Sequence, residues 1–193
     1  MAASRLRRAR HGLLACALSL FLLLLLPRLL SVGIFFDGLT YAAVARNLSL
    51  GIGSFWAPHY TQTIYPTFHE QPPLGLWMQS LLFRLFGDTP RVEAFYGLGA
   101  GLLLLLLMAG IWRAGPRRPR TGVWLPILLL AVYPLTSWIL ASNMLEITMA
   151  LWTAAAVWIA LRAVRARRPR TQLLGGMLAG CLTAGALLTK GPV

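Results

Sequence analysis

Long apolar runs separated by short polar breaks dominate this chain. A helix needs about 20 mostly apolar residues to cross the hydrocarbon core of a bilayer. Five runs meet or approach that length: residues 13–36, 92–112, 123–140, 144–164 and 173–189. The first is interrupted by Pro27 and Arg28. The pattern predicts an all-α fold, a polytopic membrane bundle of about five transmembrane helices. Arg5, Arg7, Arg8 and Arg10 precede the first run, as in a secretory signal peptide. That run is long and no small-x-small cleavage site follows it, so an uncleaved signal anchor is expected.

Between the first two runs lies the longest polar segment, residues 37–91. Asp37 is placed to cap a helix from residue 38 to about residue 50, its carboxylate accepting free backbone N–H groups. Gly51 and Gly53 end that helix, and an irregular aromatic stretch follows with Trp56, Tyr60, Tyr65 and Phe68. Pro72 and Pro73 suit the first turn of another helix. In it Leu74, Trp77, Met78, Leu81, Leu82, Leu85 and Phe86 recur at helical spacing. Gln79, Ser80 and Arg84 fall off that face, Phe83 breaks the pattern, and Gly87 stops the helix. The expectation is two interfacial helices in an outer loop, the second lying on the membrane with its apolar side down.

Composition agrees with a bilayer. The chain is 58% hydrophobic and 12% charged, whereas soluble domains carry about 25% charged residues. A net charge of +13 would point to a nucleic acid in a soluble protein. Here the arginines cluster between apolar runs, and no nucleic-acid partner is expected. The clusters are Arg5 to Arg10, then Arg113, Arg117, Arg118 and Arg120, then Arg162, Arg165, Arg167, Arg168 and Arg170. None contains an acid, and together they hold the whole net charge. The other side receives Arg28, Arg46, Arg84, Arg91 and Lys190 with all five acids, Asp37, Glu70, Asp88, Glu93 and Glu146. The positive-inside rule then puts the N-terminus, residues 1–12, in the cytoplasm and the loop 37–91 outside it. The expected location is a bacterial inner (plasma) membrane, with lipids as constant partners.

Cys16 and Cys181 lie inside apolar runs and are expected to be buried, inert thiols. His11, His59 and His69 form no HxxxH or HExxH pattern. The motifs name no cofactor and leave the need for a divalent metal open.

Several polar groups sit where chemistry is possible. An acid at a bilayer rim beside aromatics is partly desolvated, which makes its proton affinity tunable. Asp37 fits that description, or is simply a helix cap. Glu70, before the proline pair, is a second candidate, or a solvated loop acid. Asn143 and Glu146 have the spacing of a capping box, or Glu146 lines an outer cavity. Lys190 and Arg28 are snorkelling anchors or cations aimed at a phosphate. A lipid-linked phosphate would suit such a face, its head among the cations and its tail in the bilayer.

Three stretches carry a family resemblance. They are Asp37-Gly38-Leu39-Thr40-Tyr41-Ala42 running on to Ala45-Arg46-Asn47-Leu48, His69-Glu70-Gln71-Pro72-Pro73-Leu74-Gly75-Leu76-Trp77 running on to Leu85-Phe86-Gly87, and Leu188-Thr189-Lys190-Gly191-Pro192. In order and spacing the chain resembles membrane glycosyltransferases of the C-type fold. More narrowly, it resembles dolichyl-phosphate-mannose protein mannosyltransferases and bacterial aminoarabinose transferases. The resemblance implies sugar transfer from a polyprenyl-phosphate donor to a lipid, glycan or protein acceptor outside the cytoplasm, with inversion at the anomeric carbon. It makes Asp37 the base or acceptor-orienting group, Glu70 an organiser of the site, and Lys190 a ligand of the donor phosphate. Arg46 and Tyr41 line the cavity, and Arg28 and His69 join the substrate-binding candidates.

Three departures from the family pattern stand out. Gly38 follows Asp37 where many relatives carry a second acid. Asn143 stands where many carry Asp, and Glu146, one turn on, is its expected substitute. Relatives usually have twice as many spans or more, so residues 13–193 read as the N-terminal part of such an enzyme. The alternative is a truncated, non-catalytic membrane subunit or scaffold. A transporter is disfavoured because, Arg28 apart, the span interiors carry no charge. Asn47-Leu48-Ser49 is a glycosylation sequon of chance type.

Overall fold

The computed structural model describes residues 2–31, 33–89, 91–115 and 122–191, without the side chains of residues 2–7. Arg117, Arg118, Arg120 and Pro192 lie outside the described residues, as do the side chains of Arg5 and Arg7. The fold is all-helical, as the apolar runs predict. Its helices are α1 (Ala2–Leu30), α2 (Phe36–Ser49), α3 (Pro73–Phe86), α4 (Val92–Ala114), α5 (Trp124–Val132), α6 (Pro134–Ala141), α7 (Leu145–Val164) and α8 (Pro169–Lys190). Among the described residues the one β pairing is an isolated bridge between Gly53 and Pro58.

Four of these helices are long and apolar enough to cross a membrane: Arg8–Leu30 of α1, then α4, α7 and α8. At 1.5 Å per residue the 23 residues of α4 reach about 34 Å, enough for a hydrocarbon core of about 30 Å. The expected third span is broken. Helices α5 and α6 meet at 72°, with Pro134 opening α6. Proline has no N–H to continue a helix and forces Tyr133 before it into extended backbone (ψ 111°). The apolar run hid this break because both halves are apolar.

Phe21 and Leu25 of α1 pack with Tyr96, Ala100 and Leu104 of α4, Ile127 of α5 and Leu140 of α6. Close approach is possible because α4 carries glycine there: a Cβ on Gly97 would overlap the Leu140 carbonyl. Away from this contact the helices turn apolar side chains outward, among them Leu106, Leu173 and Met177. Such surfaces suit lipid. Cys16 and Cys181 are also exposed, contrary to expectation. In a membrane bundle an apolar run has two apolar destinations, core and lipid, and hydropathy does not distinguish them.

Helix α3 shows the same two destinations. Its sequence-apolar face holds exposed Trp77, Leu81, Leu85 and Phe86, while Gly75, Leu76, Gln79, Ser80 and Phe83 are buried. The side packed against protein mixes apolar Leu76 and Phe83 with Gly75, Gln79 and Ser80.

A candidate active face where the acids converge

Helices α4 and α7 each carry an acid in the first turn, Glu93 and Glu146, and an arginine in the last, Arg113 and Arg162. The molecule therefore has an acid-bearing end and an arginine end. Helix α8 returns along α7 and brings Lys190 back to the acid-bearing end. There the Lys190 ammonium forms an ion pair with Glu146 Oε1, and both side chains are partly exposed (20% and 28%). Glu146 Oε2 is buried and has no hydrogen-bond partner among the described residues.

Asp37 enters this end from α2. It lies inside the first turn of α2 rather than at its cap: the cap position is Phe35, and no side chain caps the helix. The capping expectation for Asp37 is thus corrected. The helix begins earlier because Phe36 already adopts helical backbone. The Asp37 carboxylate has no hydrogen bond or ion pair among the described residues. Next to it, Gly38 lies against the Ser142 carbonyl, and any Cβ there would collide with that oxygen. This explains glycine at a position where the resemblance led us to expect a second acid.

Asn143 holds the junction together. It is the one non-glycine residue of positive φ among the described residues (53°), and it is only 3% exposed. Asparagine tolerates that left-handed backbone better than most residues. Its amide donates to the Gly38 carbonyl (3.0 Å) and its carbonyl accepts from Gln79 Nε2 (2.5 Å). The expected capping box is overturned, since Met144 is the cap residue of α7 and Glu146 pairs with Lys190. Asn143 instead ties α2, α3 and α7 into one corner. Gln79, which sequence reading set aside as lying off the apolar face, is its partner. The available signal was the polar side of a helix whose other side suits lipid.

Tyr41 sits among the acids. Its phenol is pushed up to about 12, first by burial and then by the charges of Asp37, Glu146 and Glu70. Three carboxylates from α2, α7 and the 50–72 loop thus act on one hydroxyl group. Glu70 is exposed and accepts a hydrogen bond from Tyr65, which raises that phenol as well. The loop is held in place from beneath. Phe68 is buried with Tyr41, Val44, Leu48, Leu76 and Leu145. Asn47 Nδ2 donates to the carbonyls of His59 (3.0 Å) and Tyr60 (2.9 Å). That amide, the one in the sequon, therefore fastens the loop. Gly75 lets α3 approach Leu145 and Thr189, and Gly191 lies against Pro72, so the end of α8 meets the proline pair that follows Glu70.

The structure thus gathers Asp37, Tyr41, Glu70, Asn143, Glu146 and Lys190. It does not gather the other candidates. Arg46 is exposed and pairs with Asp88, whose carboxyl its guanidinium holds below the usual range. Arg28 lines a separate cleft of about 290 Å³ with Phe35, Trp138 and Ser142. His69 is exposed and has no partner among the described residues. Among those residues no three His, Cys, Asp or Glu side chains are grouped to hold a metal ion.

An all-helical bundle with lipid-suited outer faces and a charged, aromatic-walled end defines an integral membrane protein with a polar face beside the bilayer. The chain belongs to the dolichyl-phosphate-mannose-protein mannosyltransferase family, whose model matches residues 70–193, more than half of it. Among curated proteins it is similar to the undecaprenyl phosphate-alpha-4-amino-4-deoxy-L-arabinose arabinosyl transferase of Aeromonas salmonicida (strain A449), 29% identical over 78% of this chain. It is likewise similar to arabinosyl transferase 1 of that name from Sodalis glossinidius (strain morsitans), 30% identical over 80% of this chain. The chain spans 27% of the length of each of these relatives. No solved structure matches it significantly.

Proposed function

We propose that these residues are the N-terminal part of a glycosyltransferase that moves a sugar from a polyprenyl-phosphate donor to an acceptor on the extracytoplasmic face. The observation that carries the reading is the convergence of Asp37, Glu70 and the Glu146–Lys190 pair around Tyr41 at the acid-bearing end. Family membership and the names of the relatives support the donor class.

The chemistry follows from the groups. The acceptor hydroxyl or amine attacks the anomeric carbon as the bond to the donor phosphate breaks. Asp37, unencumbered by capping, orients the acceptor and takes its proton. The departing phosphate gains negative charge, and Lys190 stabilises it. Glu146 holds the lysine until the phosphate competes for it. Glu70 and Tyr65 form the loop wall over the acceptor. Backside displacement inverts the anomeric centre. The acid-bearing end faces away from the cytoplasm by the positive-inside rule, in a bacterial inner membrane. Helix α3 lies at the interface with Trp77, Leu81 and Leu85 in lipid.

The test uses the full-length protein in membranes, supplied with polyprenyl-phosphate sugar and a lipid acceptor fraction. Sugar should leave the donor and appear on the acceptor with inverted configuration by NMR. Lys190→Ala should raise the KM for the donor and lower kcat about a hundredfold, the scale of a lost charge-stabilising donor. Wild-type protein that leaves the donor intact, or a Lys190→Ala variant with unchanged kinetics, contradicts the reading.

A further inference from the structure

The arginine end carries a cleft that sugar transfer does not use. It has a volume of about 480 Å³ and lies between the last turns of α4 and α7, lined by Gly110, Arg113, Ala114, Trp158, Arg162 and Arg165. The Arg162 guanidinium lies over the Trp158 ring, 5.6 Å from its centroid. Gly110 makes room for that ring, since a Cβ there would come within 2.9 Å of the indole. A guanidinium held over an aromatic face is attracted by the ring and keeps N–H donors for a further partner.

Among the described residues nothing acidic is within reach. The chain has five acids, and the nearest ones along these helices are Glu93 and Glu146. At 1.5 Å per residue they lie about 30 Å from Arg113 and about 24 Å from Arg162. Among the described residues no side-chain hydrogen bond or ion pair engages Arg113, Arg162 or Arg165. Three like charges around one cleft repel each other, and an oxyanion relieves that repulsion with charge-assisted hydrogen bonds.

We infer that this cleft binds the phosphodiester headgroup of an anionic phospholipid. Its location selects a lipid over a soluble phosphate. The arginines close two membrane-length helices, at the level of headgroups. The same helices present exposed Leu106, Val157 and Val164, suited to acyl chains. Tryptophan beside arginine is the composition of a membrane interface, and basic pockets between spans hold lipid headgroups.

The test is native mass spectrometry of the full-length protein in neutral detergent, titrated with phosphatidylglycerol or phosphatidylcholine. Wild type should bind phosphatidylglycerol at least about tenfold more tightly. Replacing Arg113, Arg162 and Arg165 together by Gln should abolish that preference. Replacing Arg167, Arg168 and Arg170 by Gln removes equal charge outside the cleft and should retain it. If the triple cleft variant does not fold, Arg162→Gln alone should weaken binding about fivefold. Equal loss in the control variant overturns the proposal, because diffuse charge then suffices. Retained preference in the cleft variant overturns it too. So does displacement of the lipid by equimolar inorganic pyrophosphate, which would assign the cleft to a soluble phosphate.

Discussion

At the scale of single residues, the acid-bearing end depends on two atoms that are absent and one that is hard to ionise. Gly38 has no Cβ, and the Ser142 carbonyl fills the space. Gly38→Ala should therefore push the start of α2 away from Asn143. The expected cost is about 1–3 kcal/mol, as for overpacked cores, read as a lower midpoint of unfolding in mild detergent. An unchanged midpoint would mean that the corner yields freely. Gly97 has the same relation to Leu140 and should behave alike. Tyr41 makes a sharper statement. Its phenol is raised to about 12 from an ordinary value near 10, so the folded state binds that proton more tightly than the unfolded chain. The resulting stability is complete below pH about 10 and is lost as pH rises towards about 12. Tyr41→Phe should remove this part of the alkaline loss, measured as unfolding midpoint against pH. If wild type and variant fall in parallel, the phenol is not held among the acids as described.

Elements obey rules that sequence patterns only partly expose. The order of α1, α4, α7 and α8 and the lengths of the last three were legible because a bilayer demands long apolar runs, whereas α1 runs through Pro27 and ends at Leu30 instead of reaching residue 36. The pair of helices flanking the aromatic loop was also legible. Three features were not. The bend at Tyr133 and Pro134 lies inside one continuous apolar run, whose hydropathy is blind to a missing N–H. The buried side of α3 combines Leu76 and Phe83 with Gly75, Gln79 and Ser80, a mixture that no periodicity marks. Asn143 looked like a cap, since Asn-x-x-Glu is a capping pattern, but its left-handed backbone turns the amide towards Gly38 and Gln79 instead. The junction predicts a graded pair of substitutions. Asn143→Gly removes the amide and leaves Gln79 and the Gly38 carbonyl short of partners, at about 2–4 kcal/mol for two buried groups. Asn143→Ala adds the penalty of a left-handed backbone, about 1 kcal/mol more. Equal midpoints for the two would remove positive φ from the account.

For the whole molecule, the governing feature is the separation of charge. All five acids and Lys190 lie towards one end of the helices, and arginines without acids lie at the other. The composition makes that separation visible, and the family motifs single out Asp37, Glu70 and Lys190, which lie at the acid-bearing end. Which candidates actually meet was not visible. Arg46 pairs with Asp88, and Arg28 lines its own cleft. Such outcomes depend on which way a helix faces its neighbours, which spacing alone leaves undetermined. Orientation in the membrane is open to direct test. With the native cysteines replaced by Ser, a cysteine at exposed Ser54 should react with an impermeant maleimide in intact cells, whereas one at Arg168 should react only after lysis. The reverse pattern would place the acids in the cytoplasm. The most direct measurement of the central claim is the sugar-transfer rate of full-length Asp37→Asn beside full-length Asp88→Asn, at matched membrane levels. Both remove one acid from the same end, but Asp88 is paired outside the site. The account predicts a loss of at least about a hundredfold for Asp37→Asn, the range of a general base, and near wild-type transfer for Asp88→Asn. Comparable rates in the two variants would contradict it.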